Sequence, residues 1–170
     1  DALPIWQQVT DLILTDALYF GLTKKLIMNK SGIIPGKSPK FSFYSCFKIS
    51  FGVEKYIKDL SVCKFRSALS KFRCSSHRLK IETGRYINQP RSERLCTICK
   101  GNYVENEFHF LFVCKCYHNL RSLYLPQHLY VNPNIDNFNK LMSISDPNIV
   151  KMLAIYVYKA MKLRDSLLCE

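Results

Sequence analysis

A mainly α fold, small helical units around a metal-binding knuckle, is what this sequence predicts. Three observations carry that expectation. Apolar residues recur at spacings of three and four, Pro, Gly, Asn and Asp break those stretches, and a Cys96-x2-Cys99 pair is followed by His109-x4-Cys114.

In chain order, Leu3 to Leu26 reads as one or two helices, with Pro4 in a first turn and Ile5, Val9, Leu12, Ile13, Leu18, Leu22 and Leu26 forming an apolar stripe. Such a stripe serves as core or as a docking face for a neighbouring domain. Asn29 to Lys40, with Gly32, Pro35, Gly36 and Pro39, marks a loop, so residues 1–40 form an N-terminal helical segment and loop. Between Phe41 and Leu60, Phe41, Phe43, Tyr44, Phe47, Phe51 and Tyr56 interleave with lysines. Aromatics between lysines can stack bases beside phosphate-neutralising charge, and an ordinary helix with one buried face produces the same pattern.

Val62, Phe65, Leu69 and Phe72 mark the apolar side of a helix; Lys64, Arg66, Lys71 and Arg73 lie off it, and Arg78, Lys80 and Arg85 follow. These seven bases stand against one acid, Glu82, between residues 61 and 85, where a solvated face normally intersperses acids. The seven are therefore candidate nucleic-acid contacts, with a plain basic surface as the alternative. Glu82 and Arg85 bracket Gly84 and can pair across a turn, with Gly84 in a left-handed position. His77 beside Cys74 reads as a hydrogen-bonded structural histidine.

Residues 41–125 thus form a basic helical region containing the knuckle at 96–114, and 126–170 a C-terminal helical segment. Tyr117 to Tyr124 continues as a helix that Pro126 ends. Asp136 is expected to cap a short helix bearing Phe138, Leu141 and Met142. In the last helix Asp146 is the cap, Pro147 sits in the first turn, and Ile149, Val150, Leu153, Val157, Ala160, Met161 and Leu167 form the buried stripe. Tyr156, Tyr158, Lys159, Lys162 and Arg164 mostly face elsewhere and are given no chemistry.

Composition permits a real core: 170 residues, 48% hydrophobic and 13% aromatic. The net charge is +12, and residues 61–121 hold twelve of the basic residues against four acids. That field favours an anionic partner. No apolar run reaches the roughly 18 residues of a spanning helix, so a membrane-spanning class is excluded. Residues 1–20 lack a signal-peptide pattern, and four of the eight cysteines cluster between Cys96 and Cys116, which suits a reducing compartment better than a disulfide scaffold. The expected location is intracellular, nuclear or cytoplasmic. A start at Asp1 fits a piece of a longer product.

A C-x2-C turn brings two thiolates to one face, and a second donor pair completes a tetrahedron with no open position, the pattern of a structural Zn2+ site. On spacing alone, His109 with Cys114 or Cys114 with His118 can be that second pair, with Cys116 also nearby. Redox chemistry at C-x2-C needs a preceding strand, whereas Gln89-Pro-Arg-Ser-Glu93 precedes it. Cys46, Cys63 and Cys169 read as packing residues.

The run from Leu69 through His77, Gly84 and Tyr86, then Arg94-Leu-Cys96-x2-Cys99 and Glu107-Phe-His109-Phe-Leu-Phe-Val-Cys114, resembles the zinc-binding region at the C-terminal end of non-LTR retrotransposon reverse transcriptase polyproteins. The resemblance covers residues 60–121. It implies a CCHC zinc knuckle with ligands Cys96, Cys99, His109 and Cys114, in a nucleic-acid-binding tail that contacts RNA or DNA and adjoins an upstream polymerase domain. One departure is Lys115, where such sequences commonly have proline. No Asp-Asp pair for metal-assisted nucleotidyl transfer occurs, and the acids after Cys114 are scattered, so no enzyme activity is expected of the segment itself. A structural or protein-interaction domain folded by zinc is the alternative function.

Overall fold

The computed structural model describes residues 43–47 and 53–169. The helices expected between Leu3 and Leu26 and the loop to Lys40 lie outside the described residues. Described residues form α1 (Tyr44–Phe47), α2 (Lys55–Asp59), α3 (Cys63–Arg73), α4 (Lys80–Tyr86), α5 (His118–Tyr124), α6 (Gln127–Tyr130), α7 (Ile135–Ser143) and α8 (Pro147–Leu168). Extended pairing among them is confined to an isolated antiparallel bridge between Leu95 and Val104. The mainly α expectation therefore holds.

The 22-residue α8 is the mast of the fold, about 33 Å long. It starts as its sequence dictates: the Asp146 carboxylate accepts from the N–H groups of Asn148 and Ile149 at 2.8 and 3.2 Å, with Pro147 in the first turn. Val150, Leu153, Ala154, Val157 and Ala160 recur on its buried side. Along that side α3 makes the largest helix-to-helix contact, followed by α5 and then α2. Leu69 and Phe72 of α3 are 1% exposed and Phe65 is half-buried, so these three of the predicted apolar residues face the core, whereas Val62, the residue that precedes the helix, is 42% exposed.

A second packing centre is aromatic. Phe138 of α7 lies 5.0 Å from Phe43 and 6.2–6.4 Å from Phe47, Phe108 and Phe112, ring centroid to centroid. Phe110 lies between Phe72, Tyr117 and Tyr156 at 4.8–5.9 Å. Residues from Tyr44 to Ala160 thus share one core, and the division expected at 125/126 falls inside it.

Two local expectations change. Asn134, not Asp136, caps α7: its side-chain oxygen accepts from Asn137 N–H at 2.8 Å, while Asp136 lies within the first turn. A cap must precede the helical residues, and Ile135 is already helical. Gly84 lies inside α4 and not in a left-handed turn; a Cβ there would stand 2.7 Å from Arg94 Cγ and 2.8 Å from Gln89 Oε1. Close approach of the Arg94 side chain is what requires glycine. The Glu82–Arg85 pair does form, at 2.6 Å.

Candidate metal centre and basic groove

Two backbone devices carry the candidate ligands. In the first, Cys96 N–H donates to Tyr103 C=O and Glu105 N–H to Arg94 C=O, both at 2.8 Å, which closes a narrow turn over residues 96–103. Lys100 and Asn102 accept left-handed φ values of 52° and 49° to tighten it. In the second, Asn106 Oδ1 accepts from His109 N–H at 2.8 Å and starts a π-helical turn, His109–Val113. Its closing bond, from Cys114 N–H to His109 C=O at 2.8 Å, spans five residues. The wide turn matches the His-x4-Cys spacing, bringing both residues to the same point, and such turns recur at functional sites.

There the Sγ atoms of Cys96, Cys99 and Cys114 and one ring nitrogen of His109 all lie within 4.8 Å of one another. Exposure of the four residues is 6% or less. His109 Nε2 lies 3.5 Å from Cys99 Sγ, and the Tyr103 ring stacks on the imidazole with centroids 5.5 Å apart and planes 25° apart. The Cys96–Cys114 hydrogen bond pulls the Cys96 thiol well below its ordinary pKa despite burial, and pushes Cys114 up, with burial adding to the rise. Burial raises Cys99. Three buried thiols facing one imidazole are a donor set that could hold a metal ion, whose charge would favour thiolates.

Buried polar side chains support this centre. Tyr156 O–H donates to Phe110 C=O at 2.9 Å; Arg121 donates to the carbonyls of Leu111 and Cys114 at 2.6 and 2.8 Å. They satisfy acceptors that the irregular turn leaves without regular helical partners. Glu105, at the end of the Cys-bearing turn, takes a bidentate ion pair from Arg164 of α8, both bonds 2.8 Å, and a 2.7 Å bond from Lys80 N–H. Glu107 holds Ser75 O–H at 2.8 Å and His77 Nε2 at 3.0 Å, so His77 has the structural role its sequence position implied. Burial alone would raise the Glu107 carboxyl, but the hydrogen bond and charge of His77 hold it below its ordinary value.

No family model, no curated protein and no solved structure matches this chain. The functional reading therefore rests on its own residues. Cys116 is half-buried and His118 exposed on α5, and neither joins the quartet. The Cys114/His118 pairing left open by spacing needs one helix through both, whereas a separate 3-10 turn, Lys115–Tyr117, intervenes.

The seven basic candidates divide. Lys64, Lys71 and Arg78 are exposed and line a groove of about 460 Å³ between α3 and α8. Arg73 is 7% exposed; it donates to Met142 C=O, pairs with Glu54 at 3.3 Å and packs on Phe47 and Tyr56. That is a correction to its placement off the apolar side, for α3 is covered on that flank by α2 and α7. Arg66 donates to Leu60 C=O at 2.9 Å and Arg85 pairs with Glu82, so both hold local structure; Lys80 is half-buried at the start of α4. Lys162 and Tyr158 complete the groove from α8, with Asp165 its acid. Sequence reasoning gave Tyr158 and Lys162 no chemistry, although their i, i+4 spacing on one flank of α8 was a visible signal.

Among the described residues no helix is long and apolar enough to cross a membrane.

Proposed function

We propose that this chain is a zinc-dependent nucleic-acid-binding module, non-catalytic by itself, of the kind that forms the tail of a retrotransposon-derived reverse transcriptase polyprotein. The observation that carries the reading is the groove, in which Lys64, Lys71, Arg78 and Lys162 stand against Asp165. Four cations along one trough can neutralise successive phosphates and release their counterions, giving sequence-independent affinity.

Zinc is the ion that best suits the donor set, because three thiolates and an imidazole form a closed tetrahedral site. Bond lengths of about 2.3 Å to sulfur and 2.0–2.1 Å to nitrogen put S and N about 3.5 Å apart in a tetrahedron, the separation of Cys99 Sγ and His109 Nε2, 3.5 Å. Cys96, Cys99, His109 and Cys114 would hold it, and its contribution is to the fold, since no coordination position remains for substrate. The Glu105–Arg164 pair ties that centre to α8, one wall of the groove.

Titration of the purified full chain against RNA, single-stranded DNA and duplex DNA at low and moderate salt tests the reading. The expected result is affinity that falls with salt at a logarithmic slope of about −3 to −4, for four phosphate contacts. Lys64→Gln and Arg78→Gln should each reduce that slope by about 1. No binding to any of the three at low salt would remove it. Consecutive Tyr86 and Ile87, each 74% exposed, favour a second reading, a zinc-stabilised domain docking on a polymerase or other protein partner. That reading predicts no nucleic-acid affinity.

A further inference from the structure

We infer that the groove between α3 and α8 takes single-stranded nucleic acid, with a base stacked on Tyr158 and phosphates on the surrounding cations; this rests on the nucleic-acid reading above. The trough is small and concave, about 460 Å³. A duplex presents its phosphates on a convex cylinder too broad to enter it, whereas one strand can lie along its length. Lys64 and Lys71 are two helical turns apart on α3, about 10 Å. A stacked strand advances about 3.4 Å per nucleotide, so that interval matches roughly three nucleotides.

The floor is also suited to bases. Ala68 and Met161 line it beside Tyr158. The Tyr158 ring is steadied by an edge contact with Phe65 at 5.3 Å, centroid to centroid, and is only half-buried. Lys64 Nζ and Lys162 Nζ stand 5.6 and 5.5 Å from its centroid. Ammonium groups on flexible stems can swing from the ring to a phosphate, which leaves a ring face for a base. Aromatic platforms flanked by backbone-tracking cations are the usual means of binding single strands without sequence preference. An acidic peptide would use the cations but has no need of the ring.

The test measures binding of the purified full chain to short DNA and RNA single strands, to their duplexes, to an abasic strand of equal charge and to an oligoglutamate peptide. Single strands should bind at least about tenfold tighter than the abasic strand and the duplexes, since base stacking on an aromatic side chain is worth about that factor or more. Tyr158→Leu should lose about tenfold on single strands with no change in salt slope, and Tyr158→Phe should retain affinity. Thermal midpoints and metal content check that both variants are folded; the abasic comparison on the unaltered chain decides the matter if Tyr158→Leu is not. Equal affinity for abasic, duplex and base-bearing strands overturns the single-strand inference and leaves the nucleic-acid reading standing. No nucleic-acid binding, or oligoglutamate competing as well as the strands, overturns both.

Discussion

Removing Arg164 should destabilise the fold more than any surface substitution, because it strands a buried carboxylate. Glu105 and Arg164 have side chains only 2% and 4% exposed and share two 2.8 Å bonds. Arg164→Met leaves Glu105 with the Lys80 N–H bond and no counter-charge. Breaking one partner of a buried pair costs about 3–5 kcal/mol. For a chain of this size that corresponds to a thermal midpoint about 6–20 °C lower. Glu105→Gln with Arg164→Met removes both charges while keeping an acceptor for Lys80, so the double variant should lie closer to the parent than Arg164→Met alone. Urea and thermal unfolding of the parent, both single variants and the double variant, with zinc in excess, give the coupling energy. The loss should also be insensitive to salt, since buried pairs are weakly screened. A cost below about 1 kcal/mol for Arg164→Met, or strictly additive losses, would refute the picture of a desolvated clamp between the Cys-bearing turn and α8.

Cys96→Ser and His109→Ala should abolish about one equivalent of bound zinc by elemental analysis while His118→Ala keeps it, and a chelator should lower the thermal midpoint of the parent and of His118→Ala but not of the two variants that have lost the ion. Glu107 has its pKa lowered in the fold from the ordinary 4.5. Its contribution is therefore fully present above that value and lost as pH falls through the lower folded value, and Glu107→Gln should flatten that acid limb in unfolding curves run from neutral pH downward. Asn134→Ala should cost about 1 kcal/mol of stability while Asp136→Ala stays within about 0.5; the reverse order would restore Asp136 as the cap. Gly84→Ala should destabilise by about 1–2 kcal/mol despite its better helix propensity, because Arg94 is held by bonds to Ile81 and Gln89 carbonyls at 2.7–2.9 Å and cannot give way.

Local signals were the legible ones. The start of α8 at Asp146-Pro147, the apolar face of α3 and the His109 and Cys114 candidates could all be read from spacing, because caps, helical periodicity and ligand pairs depend on residues a few positions apart. The cap at Asn134 was missed because Asn134 and Asp136 are chemically equivalent signals, and only the backbone at Ile135 separates them.

By itself, then, the sequence determined a helical chain with a positive centre and a compact set of candidate metal donors. Tertiary structure decided which donors meet and which cations remain available. His109 is selected over His118 by a five-residue hydrogen bond that turns it toward the three thiols, while a separate 3-10 turn puts His118 at the surface. Arg73 is drawn inward by Glu54 and the Met142 carbonyl, and Tyr158 and Lys162 reach Lys64 from 94 and 98 residues away. Charge and spacing are properties of the chain; convergence on one groove depends on how α8 packs along α3, a contact set by the buried faces of both helices together.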